Sequence, residues 1–277
     1  MYDVKEAYQY CEKVIAHHSK TFYKAFSILP KDERKAVWAV YAFCRTVDDI
    51  VDEGENPAAE LAGFKSEFEH FLSGMYDLSN PMWVALHDVF RRYEMDEKHF
   101  RELIKGQEMD ITTNRYETMN QLLNYCYHVA STVGLMLLPI LAPTRVAVLK
   151  DGAVSLGLAM QITNILRDIG EDLERNRIYL PEEVMEDHGL RAESLWSERV
   201  DAPFVEVWED LANQAEGFYQ EAFQTMNEYP LYSRIPVKSA AYLYREILTV
   251  IRSKQHQVFR EKHFVEDKTK QQLLVNL

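Results

Sequence analysis

Two short acidic segments carry the residue types and spacing for metal-assisted chemistry. In Asp48-Asp49-Ile50-Val51-Asp52-Glu53, Asp48 and Asp52 stand four residues apart. On a helix their carboxylates share one face, about 6 Å apart along the axis, with no basic residue between them to relieve the repulsion. The second segment runs from Asn164 to Asp172, where Asn164, Asp168 and Asp172 recur at i, i+4 and i+8. That spacing puts three oxygen-bearing side chains in a row down one helical face. The row continues a stretch, Gly152 to Leu166, that is uncharged and nearly apolar. Carboxylates on so apolar a helix are costly unless something compensates them. Hard divalent cations are the natural compensation, magnesium first and manganese as the alternative, because such ions take a few carboxylates together with phosphate oxygens and water. Either row alone reads as well as a solvated acidic helix end. Facing each other across a cavity, the two would hold cations between them, with Asp49 as a weaker ligand or a support for its neighbours.

The reaction suited to such a site is departure of diphosphate from an allylic carbon. Negative charge develops on the leaving oxygens and positive charge on the hydrocarbon, so one end of the site must be ionic and the other dry. Basic side chains are needed as well, since cations held by acids do not neutralise a diphosphate alone. Arg45, three residues before Asp48, faces the same side and is placed to bind phosphate or orient that carboxylate. Lys20, Arg167, Arg177 and Lys262 are further candidates, and ordinary ion pairing with nearby acids is the alternative for each.

These residues need long helices to position them, and the composition supplies them. The 277 residues include only 10 Gly and 9 Pro, and apolar residues recur at three and four residues almost throughout. Helices are expected at Asp3–His18, Ser19–Leu29, Asp32–Glu53, Pro57–Tyr76, Pro81–Tyr93, Asp96–Thr112, Met119–Leu141, Arg145–Glu174, Ala192–Trp196, Asp201–Glu228, Pro236–Lys254 and Glu266–Val275. Prolines at Leu29-Pro30, Asn56-Pro57, Asn80-Pro81, Ala142-Pro143, Leu180-Pro181 and Tyr229-Pro230 punctuate them. No linker or low-complexity tract divides the chain, so residues 1–277 are expected to form a single all-α domain.

A net charge of −13 argues against a nucleic-acid partner. Cys11, Cys44 and Cys126 have no metal or redox spacing and are expected to be reduced core residues of a cytoplasmic protein. Met1 to Tyr10 lacks a basic head followed by an apolar run, so no signal peptide is expected. Thr118 to Thr144 carries no formal charge but holds Asn120, Gln121, Asn124, His128 and two prolines, which favours a buried helix over a membrane span. A greasy substrate would still be compatible with peripheral membrane contact.

In ordered fragments the chain resembles the phytoene/squalene synthase family, including bacterial dehydrosqualene synthases. The fragments are His18-Ser19-Lys20-Thr21-Phe22, Arg34 through Arg45, the Asp48 to Asp52 motif, Gly106-Gln107-Glu108-Met109-Asp110, Tyr125 through Gly134, and Gln161 through Pro181. The resemblance implies an isoprenoid-synthase helical bundle with a central cavity, acting as a monomer or weak homodimer. It makes Asp48, Asp52, Asn164, Asp168 and Asp172 metal-binding residues and places Ser19 and Thr21 near a diphosphate, with Gln161 in the second motif beside them. An N-cap is the alternative role for Ser19. Tyr41, Tyr125 and Tyr244 look like family cavity tyrosines, able to face a carbocation or hydrogen-bond phosphate. Phe22, Phe26, Trp38, Val133, Leu137, Leu141 and Met160 are candidates for the hydrocarbon wall, and Phe26 and Trp38 would shorten a tunnel toward a C15 substrate. The activity implied is head-to-head joining of two farnesyl diphosphates into a C30 product. The alternatives are hydrolysis to farnesol and diphosphate, a C40 product from geranylgeranyl diphosphate, or a non-catalytic assembly or lipid-binding role. No Gly-rich dinucleotide motif is present, which favours dehydrosqualene-type or presqualene-type products over squalene, although NADPH-using members of the family need not carry one.

Overall fold

Capping side chains and prolines set the helix boundaries in the computed structural model, which describes residues 1–266 and 268–270. Asp3 closes a capping box with Glu6 at the start of α1 (Val4–His18), and Ser19 caps α2 (Lys20–Phe26) by accepting from Phe22 N. α3 (Lys31–Glu53) follows Pro30 and ends at Gly54. α4 (Pro57–Leu72) and α5 (Pro81–Arg92) each begin with proline behind an asparagine cap. Asp96 caps α6 (Glu97–Thr112) and Thr118 caps α7 (Met119–Cys126). A π-helical turn at Tyr127–Ser131 leads into α8 (Thr132–Leu141). The remaining α-helices are α9 (Val146–Glu174), α10 (Glu182–Asp187), α11 (Ala202–Thr225) and α12 (Leu231–Ser253). The described residues contain no strand, and a lone bridge pairs Arg115 with Ile178.

The architecture is the all-α helical bundle that the apolar periodicity predicts. α9 lies at its centre, packed by α7, α8, α11 and α12. By length and composition α9 would also cross a membrane, but its position is that of a core helix. Gly157 shows how tightly it is held: a Cβ there would come within 2.4 Å of Ser131 Cα in the π turn. One apolar cluster gathers α1 to α6 and α8 around Phe43, whose ring meets Phe100 edge-on at 5.1 Å. A second surrounds Trp208 and Tyr219 on α11, where Trp208 Nε1 donates to Leu166 O at 3.1 Å.

Several boundaries depart from expectation. The helix expected over Met119–Leu141 is interrupted by the π turn, where Thr132 Oγ1 donates to His128 O. α10 was not anticipated, and Ala192–Ser197 is a 3₁₀ turn. α2 and α4 end earlier than expected, at Phe26 and Leu72, and α11 gives way to a 3₁₀ turn at Met226–Glu228. α12 begins at Leu231, five residues before the expected start, with Pro236 inside it. As the sixth helical residue, Pro236 lies in the second turn and removes one backbone bond, the one its N–H would have made to Tyr232 O. The expected helix Glu266–Val275 lies largely outside the described residues.

Candidate active site

A cavity of about 300 Å³ runs between α2, α3, α8, α9 and α12. On α3 its lining climbs from Val37 through Val40, Tyr41, Cys44 and Arg45 to Asp48. On α9 it climbs from Ala153 through Gly157, Met160 and Gln161 to Asn164. Both helices therefore become polar toward their C-terminal ends, which makes one end of the cavity an ionic mouth. The two ends meet: Arg175 and Arg177, just past α9, reach Asp52 on α3 at 3.1 and 2.8 Å. At the opposite end Phe26, Leu141, Tyr229 and Val237, all buried, form an apolar floor.

The cations at the mouth are engaged by the acids. Arg45 Nη1 donates to Asp48 Oδ2 at 3.0 Å and its other nitrogen pairs with Asp49. Arg167 holds Asp168 through two bonds of 2.8 and 2.6 Å and also hydrogen-bonds the Tyr244 phenol. Lys262, in the segment after α12, lies 3.2 Å from Asp168 and 2.8 Å from Glu171. That segment reaches α9 because residue 170 is glycine: a Cβ there would sit 1.9 Å from Phe259 O.

Burial, reinforced by Asp52, pushes the Asp48 carboxyl up to about 6. Burial and then Asp168 push Asp172 up to about 8. These are acids short of compensating charge. Asn164 Oδ1 is buried without a hydrogen-bond partner while its Nδ2 donates to Gln161 Oε1 at 3.4 Å. An orphaned acceptor beside under-compensated carboxylates, all of them oxygen donors, suits a hard divalent ion. No group of three or more His, Cys, Asp or Glu converges on one point among the described residues. The acidic rows, Asp48, Asp49, Asp52, Asn164, Asp168 and Asp172, thus do not make a closed metal site by themselves among the described residues. Ligand oxygens and water would have to complete the coordination.

Of the other residues singled out by sequence, Tyr41, Arg45, Asp48, Gln161, Asn164, Tyr244, Phe22, Phe26, Val133, Leu137, Leu141 and Met160 share the cavity lining. Asp49, Asp52, Asp168, Asp172, Arg167, Arg177 and Lys262 lie outside that lining, joined to it through the ion pairs and rows just described. Ser19 acts as the cap of α2, and Lys20 and Thr21 do not reach the lining. Trp38 is a correction: it is buried beside Tyr23, ring centroids 5.9 Å apart, with Arg34 over its face, and does not line the cavity. Tyr125 is another. Its hydroxyl donates to Asp110 Oδ2 at 2.8 Å in a buried cluster behind the mouth, where Tyr179 donates to Asp110 Oδ1 at 2.6 Å.

Gln107, Asp110 and Tyr179 lie within the fragments that carry the resemblance but have no role assigned from sequence. Gln107 lines the cavity and Nε2 donates to Asp48 Oδ1 at 3.3 Å. The signal was available in Gly106 to Asp110, where a buried-face Gln and an Asp sit three residues apart on α6. Gly106 lets α6 approach the π turn, since a Cβ there would meet His128 Cβ at 2.8 Å.

The squalene/phytoene synthase family model matches residues 15–269. The chain is 35% identical over 276 residues to 15-cis-phytoene synthase of Synechococcus elongatus, covering 95% of this chain and 89% of that protein. It is 36% identical over 264 residues to farnesyl diphosphate phosphatase YisP of Bacillus subtilis, covering 95% of each. A dehydrosqualene synthase crystal structure with a bound ligand superposes with a TM-score of 0.93 at 40% identity, covering 99% of this chain and 95% of that one.

Proposed function

The chain belongs to the squalene/phytoene synthase family, and from that premise we propose that it ionises farnesyl diphosphate and joins two such molecules head to head. The product is a C30 compound of the presqualene diphosphate or dehydrosqualene type, or of the squalene type where a hydride donor such as NADPH is supplied. The observation that carries this reading is the polarity of one cavity, with Arg45, Asp48 and Asn164 at its mouth and Phe26, Leu141 and Val237 at its floor. A diphosphate belongs at the first end and an isoprenoid tail at the second. The buried Phe26 at the floor favours a C15 over a C20 tail, so a C40 product is the lesser expectation.

Magnesium bound through Asp48, Asp52, Asn164, Asp168 and Asp172 would supply charge neutralisation for the leaving diphosphate. The chain's own groups do the rest. Arg45, Arg167, Arg177 and Lys262 exchange their aspartate partners for phosphate oxygens as substrate enters. Gln107 holds the Asp48 carboxylate from the α6 side. Cleavage of the allylic C–O bond sends the electron pair out with diphosphate, and the double bond of the second substrate attacks the cation with loss of a proton as a cyclopropane closes. Burial raises the Tyr41 and Tyr244 phenols above their ordinary value. Both stay neutral, and their ring faces can stabilise positive charge. The apolar walls exclude the water that would quench it.

Hydrolysis is the second reading, and two observations favour it. By identity the likeness to a farnesyl diphosphate phosphatase is no weaker than that to a phytoene synthase, and the Asp48 side chain, though enclosed by surrounding protein, keeps 38% of its own surface open, so water reaches the mouth. Stoichiometry separates the readings. Purified protein is incubated with farnesyl diphosphate and magnesium, and organic products are identified by mass spectrometry. Coupling consumes two substrates per C30 product; farnesol alone would replace the coupling reading with hydrolysis. Asp48→Ala and Asp168→Ala should each lower kcat by at least about 100-fold with the fold retained. Full activity in both variants would remove the acidic rows from the chemistry.

A further inference from the structure

The floor end of the bundle presents a surface unlike the rest of the molecule. It is assembled from the α2–α3 junction, the end of α5, the α8–α9 connection and the α11–α12 junction. Hydrogen bonds and ion pairs tie these together. Tyr232 OH donates to Ile140 O at 3.3 Å and Ser233 Oγ to Leu141 O at 2.5 Å. Arg145 lies 3.7 Å from Glu228, and Arg92 lies 2.8 Å from Asp88 and 3.5 Å from Asp32. On this end Ile28 is 61% exposed, Val148 51%, Leu231 78% and Ile235 51%. Ile28, Leu231 and Ile235 each stand only two residues from a floor residue of the cavity: Phe26, Tyr229 and Val237.

Charge sets this end apart as well. Segments 24–35, 88–95, 142–148 and 226–238 hold nine Lys and Arg against five Asp and Glu, in a chain whose net charge is −13. Several of these cations are held by neutral partners. Arg34 Nη1 donates to Ser27 O at 2.9 Å, Arg234 Nε to Tyr229 O at 3.1 Å, and Lys35 sits 5.3 Å from the Tyr8 ring centroid. Among the described residues these three are not seen in an ion pair with a carboxylate. A second exposed apolar group, Met1, Tyr2, Val4, Met75 and Leu78, is interspersed with Asp3, Glu6 and Asp77. It has the same greasiness with the opposite charge.

We propose that the floor end docks on an anionic phospholipid bilayer, inserting Ile28, Val148, Leu231 and Ile235 among the acyl chains while the surrounding lysines and arginines meet the headgroups. Apolar insertion and basic attraction reinforce each other at such a surface. Docking there leaves the ionic mouth in water and sets the apolar end of the cavity one helical turn from the hydrocarbon phase. The inference rests on the surface alone and holds whichever reaction the cavity performs.

Cosedimentation with lipid vesicles tests it without substrate, so its outcome is separate from that of the activity assay. Wild-type protein should sediment with phosphatidylcholine vesicles containing phosphatidylglycerol, release as salt is raised, and stay in solution with phosphatidylcholine alone. Leu231→Glu/Ile235→Glu and Lys31→Glu/Lys238→Glu should each weaken binding by at least about tenfold. Met75→Glu/Leu78→Glu should leave it unchanged. Circular dichroism and melting temperature establish that each variant is folded, and Lys31→Gln/Lys238→Gln replaces the charge reversal if that pair is not. Absence of binding to the anionic vesicles, undiminished binding by the floor variants, or equal loss in the Met75/Leu78 control would overturn the proposal.

Discussion

Asp110 carries a charge that its surroundings resist. Burial raises its pKa, and hydrogen bonds from Tyr179 and Tyr125 together with the Arg177 guanidinium only partly offset that rise. The native state therefore holds this proton more tightly than the unfolded chain, whose carboxyl titrates near about 3.9. Stability from this group is greatest below that value and is lost as pH rises toward the native pKa. Asp110→Asn removes the ionisation, so its melting temperature relative to wild type should climb as metal-free buffer is taken from about pH 4 upward. A difference that stays constant with pH would show that Asp110 is not the source. The residue also marks the limit of sequence reading. Asp48 and Asn164 announced themselves through local i, i+4 spacing. Asp110, Tyr125 and Tyr179 meet across 15 and 69 residues of chain, and no periodicity connects them. Trp38 erred in the other direction, since an apolar helical stripe does not say which member faces a cavity and which faces Tyr23.

At the scale of elements, the long helices were legible because caps and apolar period agree, as at Asp96 and α6 or Asp201 and α11. The π turn at Tyr127–Ser131 was not, because one extra residue in a helical turn leaves the composition unchanged. Its necessity shows in α9 instead. Gly157 lines the cavity and faces Ser131, where an added Cβ would lie 2.4 Å from Cα and 2.6 Å from N. Both atoms are backbone and cannot rotate away. Gly157→Ala should destabilise the protein by about 1–3 kcal/mol and displace α9 from the π turn. Gly217, on α11 with nothing within 4 Å of its added Cβ, should gain about 0.5–1 kcal/mol on the same substitution. Urea midpoints of the two variants check this contrast. If both shift alike, helix propensity outweighs the close approach and the π turn is not what that glycine serves. Short polar elements escaped for a different reason: α10 has only six residues, three of them glutamate, too few to show a period.

Over the whole molecule, two apolar clusters meet along α9, and Leu156, Met160 and Phe223 pack against both. The ionic mouth closes the seam between their polar ends, where Asp52 on α3 is tied to Arg175 and Arg177 beyond α9. Within each row the carboxylates repel, Asp52 acting on Asp48 and Asp168 on Asp172, and the cations that offset them are the ones a diphosphate would take. A divalent ion alone finds no converging trio of donors among the described residues. Diphosphate alone meets a ring of carboxylates. Together they satisfy each other and the protein, so magnesium with inorganic diphosphate should raise the melting temperature where neither does so singly. Binding at about a hundredfold above Kd contributes about 2.7 kcal/mol, which for a chain of this size is a rise on the order of 5 °C. The rise should disappear in Asp168→Ala, which breaks the α9 row while leaving Arg45 and Lys262 in place. An equal shift with magnesium alone, or an undiminished joint shift in that variant, would mean that the two rows do not act across the seam as one binding surface.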